Sequence, residues 1–119
     1  MSRISLLAAG VVAALALAAP IGATSSVTKL TGTVGPGFTI TLKKGTAKVK
    51  TLKAGSYKIT VSDKSNIHNF HLKGPGVNKI ITATPFKGTK TVTVKLKKGT
   101  YKYVCDPHAS LMHGSFKVT

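Results

Sequence analysis

The sequence predicts an all-β protein: an antiparallel Greek-key β-sandwich of seven to eight short strands, preceded by a signal peptide. Three observations predict it. After residue 26 no segment repeats its apolar residues every 3.6 positions. Apolar and polar residues alternate instead, with threonine and lysine in one phase and β-branched or aromatic residues in the other, the pattern of half-buried strands. Short stretches of glycine, proline and lysine punctuate these runs at the spacing of turns.

Met1-Ser2-Arg3 is a short positive start, Ile4 to Ala19 is an uncharged apolar run, and small or polar residues follow from Pro20 to Ser26. That order reads as an export leader over residues 1–23, cut near Ala23, with residues 24–119 forming one domain. The protein is then periplasmic, cell-surface or secreted. The run is also barely long enough to span a bilayer, so a retained membrane anchor is the alternative. Beyond the leader, Phe38-Thr39-Ile40-Thr41-Leu42, Ala47-Lys48-Val49-Lys50, Tyr57-Lys58-Ile59-Thr60-Val61, Val92-Thr93-Val94-Lys95-Leu96 and Tyr101-Lys102-Tyr103 alternate as strands. Turns are expected at Gly35-Pro36-Gly37, Lys43-Lys44-Gly45, Lys73-Gly74-Pro75-Gly76, Lys87-Gly88 and Lys97-Lys98-Gly99. The spacing L-x-x-G-x-Y occurs twice, from Leu52 to Tyr57 and from Leu96 to Tyr101. It resembles a tyrosine corner, which implies two crossings between sheets and hence a Greek key; two similar turn–strand junctions would give the same pattern.

The formal net charge is +16. Arg3 is the sole arginine among 18 basic residues, so the mature domain carries 17 lysines against Asp63 and Asp106, a net charge of +15. Lysine lacks the planar fork that reads a guanine edge or grips a phosphate in two places. Sequence-specific nucleic-acid binding is therefore not expected. Attraction to acidic protein partners, or to an anionic membrane or cell-wall surface, is.

The stretch VCDPHASLMHG, residues 104 to 114, holds the single cysteine, two of four histidines and the only methionine besides the initiator. Cys105 shares the inward phase of Tyr101 and Tyr103. Asp106-Pro107 then breaks the strand, Asp106 as a cap to the loop, and Gly114 ends a loop short enough to return to its own base. Cys105, His108 and Met112 can thus face one centre. A lone cysteine in an oxidising compartment has no disulfide partner, and a bound metal is one way to protect its thiol; burial is the other. His68, just before a strand, offers a fourth ligand. One thiolate, two imidazoles and a thioether favour copper, with methionine as a long axial ligand. Zinc would need a further nitrogen, from His71 or His113. His71 lies three positions from His68 and should face the other way on a strand; His113 should face solvent. A cysteine–histidine nucleophile is the weaker reading, since no orienting residue or oxyanion site accompanies it.

These residues resemble those of the cupredoxins, small blue copper proteins of the plastocyanin, amicyanin and azurin type. The resemblance spans residues 27–119. It is strongest at Gly99, Tyr101, Tyr103, Cys105, His108, Met112 and Gly114, and is supported by the pair His68-Asn69. It implies one type 1 copper per chain, held by His68, Cys105 and His108 with axial Met112, and Asn69 tying the ligand loops together behind them. Three residues separate His108 from Met112, as in azurin-like loops, yet Cys105 and His108 keep a short gap that azurin-like loops lack.

That ligand set leaves no position open for substrate, and His71 and His113 are too few for a multicopper cluster. The expected activity is one-electron transfer between redox partners, without enzymatic turnover, by a monomer. Acidic partners would dock transiently near His108 on Pro107, Ala109 and Leu111, with Pro75 and Val77, inside a rim of steering lysines. The alternative function is a non-redox copper module that buffers or delivers the metal outside the cytoplasm.

Overall fold

The computed structural model describes residues 27–119; the leader expected over residues 1–23 lies outside the described residues. The strands are β1 (Thr28–Val34), β2 (Ile40–Lys44), β3 (Ala47–Lys48), β4 (Thr51–Leu52), β5 (Gly55–Asp63), β6 (Phe70–Gly74), β7 (Val77–Thr82), β8 (Gly88–Leu96), β9 (Gly99–Val104) and β10 (His113–Val118). They form two five-stranded sheets, ordered β3-β2-β1-β5-β8 and β4-β10-β9-β6-β7. No helix among the described residues is long and apolar enough to cross a membrane.

The sandwich is therefore present, with two differences from the expectation. Its sheets are mixed, because β1 pairs parallel with β5 and β4 parallel with β10. Alternation reports which face of a strand is buried and is blind to the direction of its neighbour. The strand count is also higher: the alternating stretch Ala47-Lys48-Val49-Lys50 forms only the two-residue β3, and β4 is a separate two-residue ladder too short to show a period. β1 is masked in the sequence for a packing reason. Its inward positions are Leu30, Gly32 and Val34. The middle one is glycine because a Cβ there would come within 2.9 Å of the Phe70 ring.

The inner face of the second sheet carries an aromatic layer. Phe70 stacks on Tyr103 with ring centroids 5.6 Å apart, Tyr101 stacks on Phe116 at 5.3 Å, and Tyr103 touches Phe116 at 6.4 Å. Leu30, Leu42, Ile59, Val61 and Leu96 face it from the first sheet, all essentially buried.

Both L-x-x-G-x-Y tyrosines reach back four residues. The Tyr57 hydroxyl donates to the Lys53 carbonyl at 2.6 Å. The Tyr101 hydroxyl accepts from the Lys97 amide at 2.9 Å and donates to the Pro75 carbonyl at 2.8 Å, joining two turns at one end of the sandwich. Tyr101→Phe leaves a backbone donor and a backbone acceptor unpaired, whereas Tyr57→Phe leaves one acceptor. We expect denaturant melts to show a loss of about 1–3 kcal/mol for Tyr101→Phe and less for Tyr57→Phe.

Strand direction sorts the loops. β1, β5, β7 and β9 run toward one end, where residues 35–39, 64–69, 83–87 and 105–112 connect them onward. The turns after β2, β4, β6 and β8 lie at the far end.

Candidate metal centre

At the first of these ends two segments meet. The first is the β5–β6 loop, built by nested side-chain turns. The buried Asp63 carboxylate accepts the Ser65 amide at 3.1 Å, and the Ser65 hydroxyl accepts the Ile67 amide at 3.3 Å, a local substitute for backbone turns. They deliver His68 inward at the mouth of β6, fully buried. Gly35, at φ 75°, passes directly over it; a Cβ there would come within 3.1 Å of His68 Cδ2.

The second segment is the turn from β9 to β10. A one-turn 3-10 helix, Asp106–His108, starts straight after Cys105 with proline in its first positions. The His108 amide donates to the Cys105 carbonyl at 3.0 Å, and the Met112 amide to the His108 carbonyl at 2.8 Å. The Cys105 amide closes the loop on the Met112 carbonyl at 3.0 Å. Cys105 and Met112 are fully buried, while His108 is half-buried.

The structure brings His68, Cys105 and His108 together. Cys105 Sγ lies 3.6 Å from Nδ1 of each histidine, and the two Nδ1 atoms are 3.1 Å apart. The point equidistant from the corners of that triangle is about 2.0 Å from each, within the roughly 2.0–2.1 Å of a metal–imidazole bond. These donor atoms fit a first-row metal ion. A merely structural core histidine ordinarily has both nitrogens satisfied. Here Nδ1 turns to a thiol and a second imidazole, and the buried Nε2 has no hydrogen-bond partner.

Among the described residues this is the one cluster of histidine, cysteine or acidic side chains able to hold a metal. Zinc's extra nitrogen is not supplied. His113 is exposed at the start of β10. His71 is held away, its Nδ1 bonded to Asp106 Oδ2 at 2.8 Å and its Nε2 to Asn78 Oδ1 at 2.6 Å.

Asn69 and Asp106 tie the two segments. The Asp106 amide donates to Asn69 Oδ1 at 2.7 Å, and Asn69 Nδ2 donates to Asp106 Oδ2 at 2.8 Å. Asp106 was expected to cap its loop; the residue before the 3-10 helix has no side-chain cap, and the carboxylate bridges outward to Asn69 and His71 instead. His71 thereby belongs to the frame of the site without facing its centre, a role that required the fold to be seen.

Burial pushes the Asp106 carboxyl up. The hydrogen bonds from Asn69 and His71 and the charges of His71 and Lys73 outweigh it, so the group titrates below the usual carboxylate range. A folded pKa below the unfolded one stabilises the fold at pH values above about 4, and that contribution fades as pH falls through the lowered value. Wild type should therefore melt above Asp106→Asn near neutral pH, by about 1 kcal/mol after allowing for solvent at a carboxylate 41% exposed. Thermal melts of the copper-free proteins should converge as pH is lowered toward about 3.

Phe38 was not anticipated here. Its alternation with Ile40 and Leu42 suggested an inward strand position. It instead precedes β2, is 54% exposed, and sets its edge against the rings of His68 and His108, at 5.4 and 4.9 Å between centroids. Ile67 and Leu111 are also exposed on these loops. Pro75 and Val77, expected in the same apolar patch, lie at the far end, because β6 runs away from the site. The rim also holds few lysines: of the four loops at this end, those carrying lysine contribute only Lys64 and Lys87.

No curated protein matches the chain in sequence. In structure it is similar to reduced rusticyanin at 1.9 Å resolution, with TM-score 0.53 and 27% identity over 80% of this chain and 82% of that one. A second structure, described as the copper protein rusticyanin at 2.1 Å, gives TM-score 0.53 and 25% identity over 76% of each chain. The family model for copper-binding proteins of the plastocyanin/azurin family matches residues 39–119, and the His68–Cys105–His108 cluster matches a type 1 copper site. With the sandwich, the three-donor triangle and this match in agreement, the chain belongs to the plastocyanin/azurin family of copper-binding proteins, the cupredoxins.

Proposed function

We propose that His68 Nδ1, Cys105 Sγ and His108 Nδ1 hold the copper ion, with Met112 as its axial ligand, and that the protein is an extracytoplasmic one-electron carrier. The observation that carries this reading is the triangle of donor atoms, whose centre lies at metal–imidazole distance from each corner. Bound copper supplies a one-electron couple. The protein's part is to keep its donors from moving. The closed 105–112 loop, the two Asn69–Asp106 hydrogen bonds and the packing of Phe38 on both imidazoles all resist rearrangement. Ligands that stay in place let an electron arrive without reorganising the site.

His108 is the half-buried member of the triangle and the electron's way out. Around it Phe38, Ile67, Pro107, Ala109 and Leu111 are exposed, a small apolar face suited to brief contact with another redox protein. The net charge of +15 attracts acidic partners to the molecule as a whole, an attraction that weakens with salt, while docking at His108 itself rests on the apolar face. The carrier acts as a monomer, and the apolar run Ile4–Ala19 supports export to the periplasm, cell surface or medium.

Voltammetry of the copper-loaded protein tests the carrier reading, with a reversible one-electron wave expected. Colourless Cu(I) binding without such a wave, and with ready loss of metal to a chelator, would point to copper handling instead.

A further inference from the structure

The lysines are unevenly placed along the sandwich. Both acidic residues of the chain, Asp63 and Asp106, sit at the metal end. At the far end, Lys44, Lys53, Lys97 and Lys98 lie at three of the four turns, and all are exposed. The Lys97 side chain also covers the fourth turn, lying 3.4 Å from where a Cβ on Gly76 would be. No aspartate or glutamate offsets these charges, and the backbone of Thr119 pairs here with Ala54 and Leu52. Val27, 43% exposed, stands at this end too, lining a cleft with Lys44 and Lys53. The 26 residues that include the apolar run Ile4–Ala19 therefore join the domain at its lysine pole.

We propose that this pole docks on an anionic phospholipid surface and holds the metal end pointing away from it. Lysines within a Debye length of anionic headgroups add their attractions roughly independently. The turns that carry them are mostly polar, so the contact is peripheral and salt-sensitive. Charge complementarity favours an anionic surface, and a leader retained as an anchor would enter the domain from this same pole, which favours a bilayer over a soluble partner. The orientation follows from topology: every turn of the lysine pole is one strand length from the loops that hold His68, Cys105 and His108. Docking would leave the exposed face around His108 free for a redox partner. The proposal extends the carrier reading, but lipid binding itself needs no copper.

Sedimentation with lipid vesicles tests it, using residues 24–119, the expected exported form and the whole of the described sandwich, with and without copper, so that the apolar run cannot anchor the protein to neutral vesicles. At about 0.1 M salt the protein should bind vesicles with roughly one-third anionic lipid at least tenfold more tightly than neutral vesicles, and about 0.5 M salt should release it. Lys53→Gln/Lys97→Gln/Lys98→Gln should weaken binding about 100-fold, at roughly a factor of five per lysine. Lys64→Gln/Lys87→Gln/Lys90→Gln has the same net charge but alters the metal-end half, and should stay within about threefold of wild type. Equal losses in the two triple variants, equal binding to neutral vesicles, or no vesicle binding would each overturn the proposal. So would capture by soluble polyglutamate in place of vesicles, which would assign the pole to an acidic protein. Failure of the redox reading would remove colour or voltammetric response and leave vesicle binding unchanged, so the two failures are separable.

Discussion

Cys105→Ser should give a protein that stays colourless on addition of Cu(II), while wild type turns blue or green. The colour of a type 1 site comes from the copper–thiolate bond, and in this chain no other cysteine can supply that sulfur. Serine keeps nearly the same shape at a fully buried position, so the fold should survive and far-ultraviolet circular dichroism should be unchanged. His71→Ala and His113→Ala serve as controls. Both rings stand outside the donor triangle, so both variants should keep the visible band. A serine variant that retains the band would remove Cys105 from the ligand set and overturn the proposed site.

Gly114→Ala should be the most damaging single methyl group that can be added near the site. Gly114 pairs directly with Tyr103 across β9 and β10, and a Cβ there would overlap Tyr103 Cζ and its hydroxyl oxygen. Tyr103 cannot swing aside, being stacked on Phe70 and packed against Phe116 in the core. The methyl must push β9 and β10 apart at the base of the 105–112 loop. Overpacking of this kind costs about 1–3 kcal/mol, or roughly 4–8 °C of melting temperature per kcal/mol in a domain of this size. Melts of the copper-free proteins isolate the fold from metal stabilisation. If steric overlap is the cause, shortening the partner in Gly114→Ala/Tyr103→Leu should recover part of the loss, a coupling of about 1 kcal/mol or more in a double-mutant cycle. Additive losses would show that the glycine acts through backbone freedom instead.

Gly114 also shows where sequence reasoning stops. It is legible as the close of a loop, but its requirement comes from a ring on the neighbouring strand. Phe38 is a sharper case. Its alternation with Ile40 and Leu42 speaks for burial, and only the path of the β1–β2 loop lays it across two histidines. His71 and Asp106 are comparable: neither has a sequence signal for a bridge, because their partners Asn69 and Asn78 lie on other segments or across a hairpin.

What the sequence alone determined is the chemistry and the layering. Alternating side chains commit each strand to one buried face, and the spacing of Cys105, His108 and Met112 is local, so one short loop, closed from the Cys105 amide to the Met112 carbonyl, carries all three. Tertiary structure alone decided what depends on long-range pairing: the parallel β1–β5 and β4–β10 ladders, the approach of His68 to the loop, the Asn69–Asp106 tie, and the sorting of lysines to the pole opposite the metal end. The physical reason is that local patterns record burial, whereas direction and distance between strands are settled only when the two sheets close over a shared core.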